Sequence, residues 1–132
     1  MMKARIAKEA VVRINNRMGV LAQVTRTLAD KGLNMEAVIA TVEGNEAVIH
    51  LVSTDHQRTM DALREQRLQV QEARVVAAEI EHRPGLLREV SEKLARQSID
   101  LFYLYATATE SARCLIVFAS TNNDWAVKVL ND

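Results

Sequence analysis

The sequence has one cysteine, Cys114, one proline, Pro84, and four glycines among its 132 residues. A lone cysteine excludes an internal disulfide framework and a zinc site built from thiolates, and it points to a reducing compartment, read here as the cytoplasm. So little proline and glycine leaves no flexible linker. Aromatic residues make up only 4%. Neither sign of charge dominates: 17 lysines and arginines face 17 acids, so the bulk field that draws a chain onto nucleic acid or an anionic membrane is missing. Apolar runs stop at about eight residues, against the roughly 20 that span a bilayer, and the start Met1-Met2-Lys3-Ala4-Arg5-Ile6 has no secretory apolar core. What remains, 48% hydrophobic and 26% charged, is the make-up of an ordinary globular protein.

The chain repeats itself. Ile14-Asn15-Asn16-Arg17-Met18-Gly19-Val20-Leu21 superimposes on Ile80-Glu81-His82-Arg83-Pro84-Gly85-Leu86-Leu87, 66 positions on. At the same offset Val24 meets Val90, Leu28 meets Leu94, Ala29 meets Ala95, Ala40 meets Ala106 and Thr41 meets Thr107. The expected units are residues 1–73 and 74–132. A body that small hides only about 60% of its unfolded surface, so two isolated copies would be marginal and the halves are expected to share an interface.

Within the first copy, Ala10 to Ile14 is a β-branched run, and Val20, Leu21, Val24 and Leu28 then fall at helical spacing until Lys31-Gly32 ends the helix. Leu33 to Val42 and Ala47 to Val52 read as strands joined by the tight turn Glu43-Gly44-Asn45-Glu46. Thr54-Asp55 can cap a second helix with Met60 and Leu63 facing inward, and Leu68 to Ala73 returns as a strand. The second copy gives strand Val75 to Ile80, helix Leu86 to Gln97, strand Ile99 to Thr107, a turn at Thr109-Glu110-Ser111, strand Arg113 to Ala119 and a helix from Asp124. The fold class is α+β, two βαββαβ units in tandem, each an antiparallel sheet with both helices on one face. Asp132 leaves no residues for a closing strand in the second unit, so one sheet edge is expected to stay open, be covered, or be filled by another subunit; a homodimer is expected.

The strand-to-helix loop is the segment with chemistry to offer. Gly19 and Gly85 stand where the unpaired N–H groups of a helix's first turn point outward, and the helix dipole adds roughly half a positive charge there, a fit for a small carboxylate. Pro84 suits the first helical turn. Asn16 can cap the helix or accept a ligand's ammonium, and His82 holds the matching place. Two readings stay open: the glycines make the turn sterically possible and nothing more, or the loops hold an anion.

Asn16-Arg17-Met18-Gly19-Val20-Leu21 and His82-Arg83-Pro84-Gly85-Leu86-Leu87 resemble the Asp/Asn-Arg-Pro-Gly-x-Leu loop of ACT domains, the amino-acid-sensing modules of aspartate kinase and phosphoglycerate dehydrogenase. Met18 stands where the family has proline, and His82 where it has an acid or amide. The chain is similar to small stand-alone tandem ACT proteins. The resemblance implies ferredoxin-like units, capture of a small amino acid at the loops, an interface between units, and a regulated enzyme or regulator as partner. The expected ligand-binding residues are Asn16, Arg17, Met18, Gly19, Val20, Leu21, His82, Arg83, Pro84, Gly85 and Leu86. Tyr103 and Tyr105, two apart and so on one face of a strand, can either line a pocket or pack in the core.

Enzyme chemistry finds no footing. His50, His56 and His82 do not share metal-ligand spacing, and the serines lack a nucleophile-elbow context. Cys114 reads as a small hydrophobe in a strand. Base stacking is set aside because the aromatic-rich strand motif of RNA-recognition domains is absent. The expected protein is therefore a non-catalytic regulatory module without cofactor or metal, that binds neither nucleic acid nor membrane. The alternative is a structural interaction module whose loops bind nothing.

Overall fold

A computed structural model describes residues 2–108 and 113–132, so the turn expected at Thr109, Glu110 and Ser111 lies outside the described residues. The elements are β1 (Lys3–Asn15), α1 (Val20–Asp30), β2 (Met35–Glu43), β3 (Glu46–Ser53), α2 (His56–Glu65), β4 (Gln69–Glu81), α3 (Leu86–Arg96), β5 (Leu101–Ala108), β6 (Arg113–Ser120) and α4 (Asn123–Asn131). Two strands are longer than their apolar runs suggest. β1 starts at Lys3 instead of Ala10, and β4 runs through both expected strands, Leu68 to Ala73 and Val75 to Ile80. Alanine, lysine and glutamate are weak strand formers, which hides residues 3–9. The alternation that gives them away is short: exposed Lys3 and Arg5 flank buried Ala4, and exposed Lys8 separates buried Ala7 from buried Glu9.

The chain forms two compact units, Lys8–Ala73 and, together, Met1–Ala7 with Arg74–Asp132. Residues 1–7 thus belong to the other unit than the expected range 1–73 gave them. In the first unit the strand order is β2-β3-β1-β4, with β1 and β2 antiparallel to β3. In the second it is β5-β6-β4-β1, with β4 and β5 antiparallel to β6. Both units are ferredoxin-like, and the expectation that the second lacks its last strand is corrected by the chain's own N-terminus. Ala4 joins the second unit's core, and Met2 and Ile6 pack against it. Asn131, at the end of α4, holds Ala4 by both main-chain groups, accepting from its amide at 2.7 Å and donating to its carbonyl at 2.9 Å. An unpaired strand edge exposes a row of main-chain donors and acceptors, so the N-terminal residues are drawn into that place.

Each unit buries one stripe of its helices. Val20, Val24 and Leu28 of α1 recur as Leu86, Val90 and Leu94 of α3. The first set meets Met60 and Leu63 of α2 over Val12, Ile49 and Leu51; the second meets Ala126 and Leu130 of α4 over Ile80, Ile116 and Phe118. The repeat offset is 66 through β2 and β5, where a register shift recurs at Met35/Ala37 and Leu101/Tyr103. It becomes 67 afterwards: the capping residue Asp55 matches Asn122, and buried Leu63 matches Leu130. The added residue therefore falls between Ala108 and Arg113.

Glu9 is the one buried acid among the described residues, and its Oε1 lies 2.8 Å from Nδ1 of His50. Val11, next but one to Glu9, is the register partner of His50, so the pair meets diagonally across neighbouring strands. A buried carboxylate without such a partner would be costly.

Three helices end on a left-handed residue, Gly32, Arg67 and Ser98. In each case the next amide reaches back five residues, Leu33 to Leu28 at 2.9 Å, Leu68 to Leu63 at 3.3 Å and Ile99 to Leu94 at 3.0 Å. Only the first uses the residue that takes this conformation without strain. Ser98→Gly is expected to raise stability by about 1 kcal/mol in urea unfolding. Asn131→Ala is expected to cost about 1–3 kcal/mol, because it strips both hydrogen bonds from Ala4. Hydrogen exchange should show the loss at residues 3–7 first.

Candidate functional site

Both strand-to-helix turns have one geometry. Gly19 sits at φ +88° and Gly85 at φ +83°, each as the residue that precedes the helix, and neither α1 nor α3 has a side-chain cap. A Cβ at either glycine would meet no atom within 4 Å, so the requirement is conformational and not steric. Asn16 does not cap α1. Pro84 lies before Gly85, outside the helix, and not in its first turn. The first amide to close a helical turn in α1 is that of Gln23, onto the Gly19 carbonyl at 2.9 Å, matched by Glu89 onto Gly85 at 3.0 Å. Ahead of it, the Val20 and Leu86 amides turn back onto the Arg17 and Arg83 carbonyls at 3.4 and 3.2 Å, so it is the remaining first-turn amides that stand where a helix leaves them for solvent or ligand. Gly19 and Gly85 are both exposed.

A cavity of about 270 Å³ opens beside the first turn. Asn16, Arg17, Gly19, Val20 and Leu21 contribute its loop side, and Ala40, Thr41 and Val42 of β2 with Ala47 and Ile49 of β3 the other. The loop and the β2–β3 hairpin are tied together, since the Asn16 amide donates to the Asn45 carbonyl at 2.7 Å. Arg13, in β1, adds ion pairs to Glu43 and Glu46 at 3.6 and 3.9 Å. Met18 is 99% exposed and does not line the cavity. The hairpin residues are the part that sequence reasoning missed. The signal was available in the Gly44-Asn45 turn, which fixes the register and brings Ala40, Thr41 and Val42 opposite Ile49, Val48 and Ala47.

The two loops differ in charge. Arg17 donates to the neutral Gln23 side chain at 2.5 Å, whereas Arg83, its counterpart, pairs with the carboxylate of Glu89. The first turn of α1 carries no acid, while that of α3 carries Glu89. An acid there already answers the positive end of α3. Arg83 and Glu89 border a separate cavity of about 300 Å³ with Met2, Ile80 and Leu130. His82 is exposed and Leu86 is buried in the second core. Tyr103 and Tyr105 are half-buried on β5, opposite Ala119 and Val117, and do not line the cavity beside Gly19.

Cys114 is buried in β6, and burial pushes its thiol up from the ordinary value, away from the reactive thiolate. Among the described residues no group of three or more histidines, cysteines and acids is placed to hold a metal ion, and no helix is long and apolar enough to cross a membrane.

Comparison with known proteins agrees with this geometry. Residues 9–67 match the model of the ACT domain family. No curated protein is similar enough in sequence to count as a relative. Among solved structures, the fold is similar to protein BT0572 from Bacteroides thetaiotaomicron, 24% identical, with a TM-score of 0.89 over 97% of this chain and 88% of that one. It is also similar to the ligand-free regulatory subunit of aspartate kinase from Thermus thermophilus, 14% identical, with a TM-score of 0.70 over 98% of this chain and 94% of that one. A structure of aspartokinase alpha and beta subunits superimposes with a TM-score of 0.69 at 16% identity, over 98% of this chain and 95% of that one. The ACT match thus covers residues 9–67, and what the whole chain shares with these solved structures is the fold.

Proposed function

We propose that the chain is a non-catalytic regulatory module that binds a small amino acid, and that the first loop is the principal site. The observation that carries this reading is the asymmetry of charge between two otherwise equal turns. At Gly19 an uncapped helix N-terminus, free of acids, adjoins Arg17 and a cavity walled by Val20, Leu21 and Val42. A carboxylate there gains from the helix dipole by about 0.3–1 kcal/mol, and up to ~2 when partly buried. Asn16 accepts the ligand's ammonium, and the apolar wall takes its side chain. At Gly85 the same place is already answered by Glu89. Support from outside comes from the ACT match over residues 9–67 and from the fold shared with a regulatory subunit of aspartate kinase. His82, Arg83, Pro84, Gly85 and Leu86 form the weaker second site, where Tyr103 and Tyr105 of the same unit would contact the ligand's side chain.

A second copy of the chain is the proposed partner, for a reason other than a missing strand. β2 is the edge strand of its sheet, and Val38, Val42 and neighbouring Leu21 are exposed large apolar residues. An edge of that character invites pairing, and a second β2 laid along it would wall the open side of the cavity. Ligand and assembly would then be linked, because a guest favours whichever state encloses it. An enzyme or regulator under this module's control is the proposed downstream partner.

Thermal unfolding with each of the common amino acids tests the sensing reading. At 100 times its dissociation constant the cognate ligand is expected to add about 2.7 kcal/mol. Gly19→Val should remove the shift and Gly85→Val should keep most of it. Gln23→Glu, which installs at the first loop the acid found at the second, should weaken binding about fivefold. Silence from every amino acid with a folded sample would leave the interaction module as the function. Light scattering should give a dimer that Val42→Lys converts to monomer.

A further inference from the structure

The two units differ most where their helices face each other. In the first, the cleft between α1 and α2 is a dimple of about 220 Å³, lined by Lys31, Arg58, Asp61, Ala62 and Glu65. Its charges are spent internally: Lys31 pairs with Glu65 at 3.2 Å, and Arg58 donates to the Lys31 carbonyl at 2.8 Å. The repeat offsets carry those five residues onto Gln97, Trp125, Lys128, Val129 and Asp132, and all five line the cleft between α3 and α4, a groove of about 720 Å³. The same place in the fold has been opened, and a balanced lining of charges has become a positive one.

The change is specific. Asp30 becomes Arg96, Thr27 becomes Lys93 and Asp61 becomes Lys128, while Arg58, the residue that closes the first cleft, becomes Trp125. Three cations face the single acid Asp132 across the groove. Among the described residues neither Arg96 nor Lys128 forms an ion pair, and Lys93 reaches only the Asp132 main-chain oxygen, at 3.5 Å. The nearby acid Asp124 is held chiefly from outside the groove: two hydrogen bonds and the charge of Arg74, with a lesser contribution from the charge of Lys128, keep its carboxyl below the usual carboxylate range. Basic residues at helix C-terminal ends complement the dipole, but that does not account for an indole left 43% exposed between them, over half-buried Val127 and Val129.

We propose that the α3–α4 groove docks an acidic protein segment, with an apolar side chain set against Trp125 and carboxylates paired to Lys93, Arg96 and Lys128. Charge complementarity fixes the sign of the partner, and Trp with Arg are the residue types that anchor protein interfaces. A small phosphate compound is gripped by converging main-chain amides at a helix N-terminus; here the cations are side chains strung along two helices, and the α3 end is the C-terminal one. This surface goes beyond ligand sensing at the first loop and would deliver the module to its target whether or not that loop is occupied.

Trp125 is the only tryptophan in the chain, so its fluorescence reports on the groove directly. The full chain is titrated with a short synthetic peptide alternating glutamate with leucine. A saturable change in emission is expected, weakened about tenfold by Lys93→Glu with Arg96→Glu, and also by raising salt. Arg96 is exposed and Lys93 half-buried, and an unchanged melting curve checks that the variant is folded; Lys128→Gln serves if it is not. Anisotropy of the labelled peptide should report loss of binding to Trp125→Ala. No response to the peptide overturns the proposal. So does tighter binding of ATP or of phosphatidylglycerol vesicles at the same groove, which would identify a small polyanion or a membrane surface as the occupant.

Discussion

A strand that must turn straight into a helix needs one residue with a positive φ, and most of what this molecule offers depends on that residue being glycine, twice. Gly19 and Gly85 swing the chain out of β1 and β4 so abruptly that no side chain arrives to cap the helix behind them. An ordinary helix start would have put a serine or aspartate there and satisfied the first amides internally. The turn therefore does two things with one conformation: it aims Val20 and Leu86 into the cores, and it leaves the positive end of each helix without an answering cap. Whether that end is a site then depends on what the neighbouring side chains do with the charge. There the two units part company, with Gln23 in the first turn of α1 and Glu89 in that of α3.

The sequence carried the repeat, the order of helices and hairpins and the position of both loops, because apolar periodicity and glycine placement are local signals. It hid the ends of the strands. Residues 3–9 are alanine, lysine, arginine and glutamate around one isoleucine, a composition that does not announce a strand; their β structure is imposed by an edge that needs a partner. That is a tertiary demand, and no window along the chain displays it. The same blindness produced the expected open edge. Sequence order would put the closing strand after Asp132, and it lies before Lys8.

The candidate cavity was half legible for a related reason. Loop residues such as Asn16 and Gly19 stand out by spacing, but Ala40, Thr41, Val42, Ala47 and Ile49 look like any strand interior until the hairpin register is known. Glu9 and His50 were likewise invisible as a pair, being 41 residues apart and joined only by the alignment of β1 with β3. Met18 and Pro84, by contrast, stood out in the motif and proved to be surface and lead-in residues.

Duplication gives a protein two copies of every surface and the freedom to specialise one. The cores of the two units remained interchangeable in kind, Val20, Val24 and Leu28 against Leu86, Val90 and Leu94, because close packing tolerates little else. Divergence gathered where packing does not constrain, in charge. At the loops the acid went to the second unit; across the helix pair the acids stayed with the first. The two changes run in opposite directions, so a general drift in composition does not explain them, and the balanced net charge of the whole chain conceals both. One unit keeps a positive helix end beside a cavity, and the other keeps a positive groove beside an indole. The proposed sensing and the proposed docking thus rest on surfaces of different sister folds.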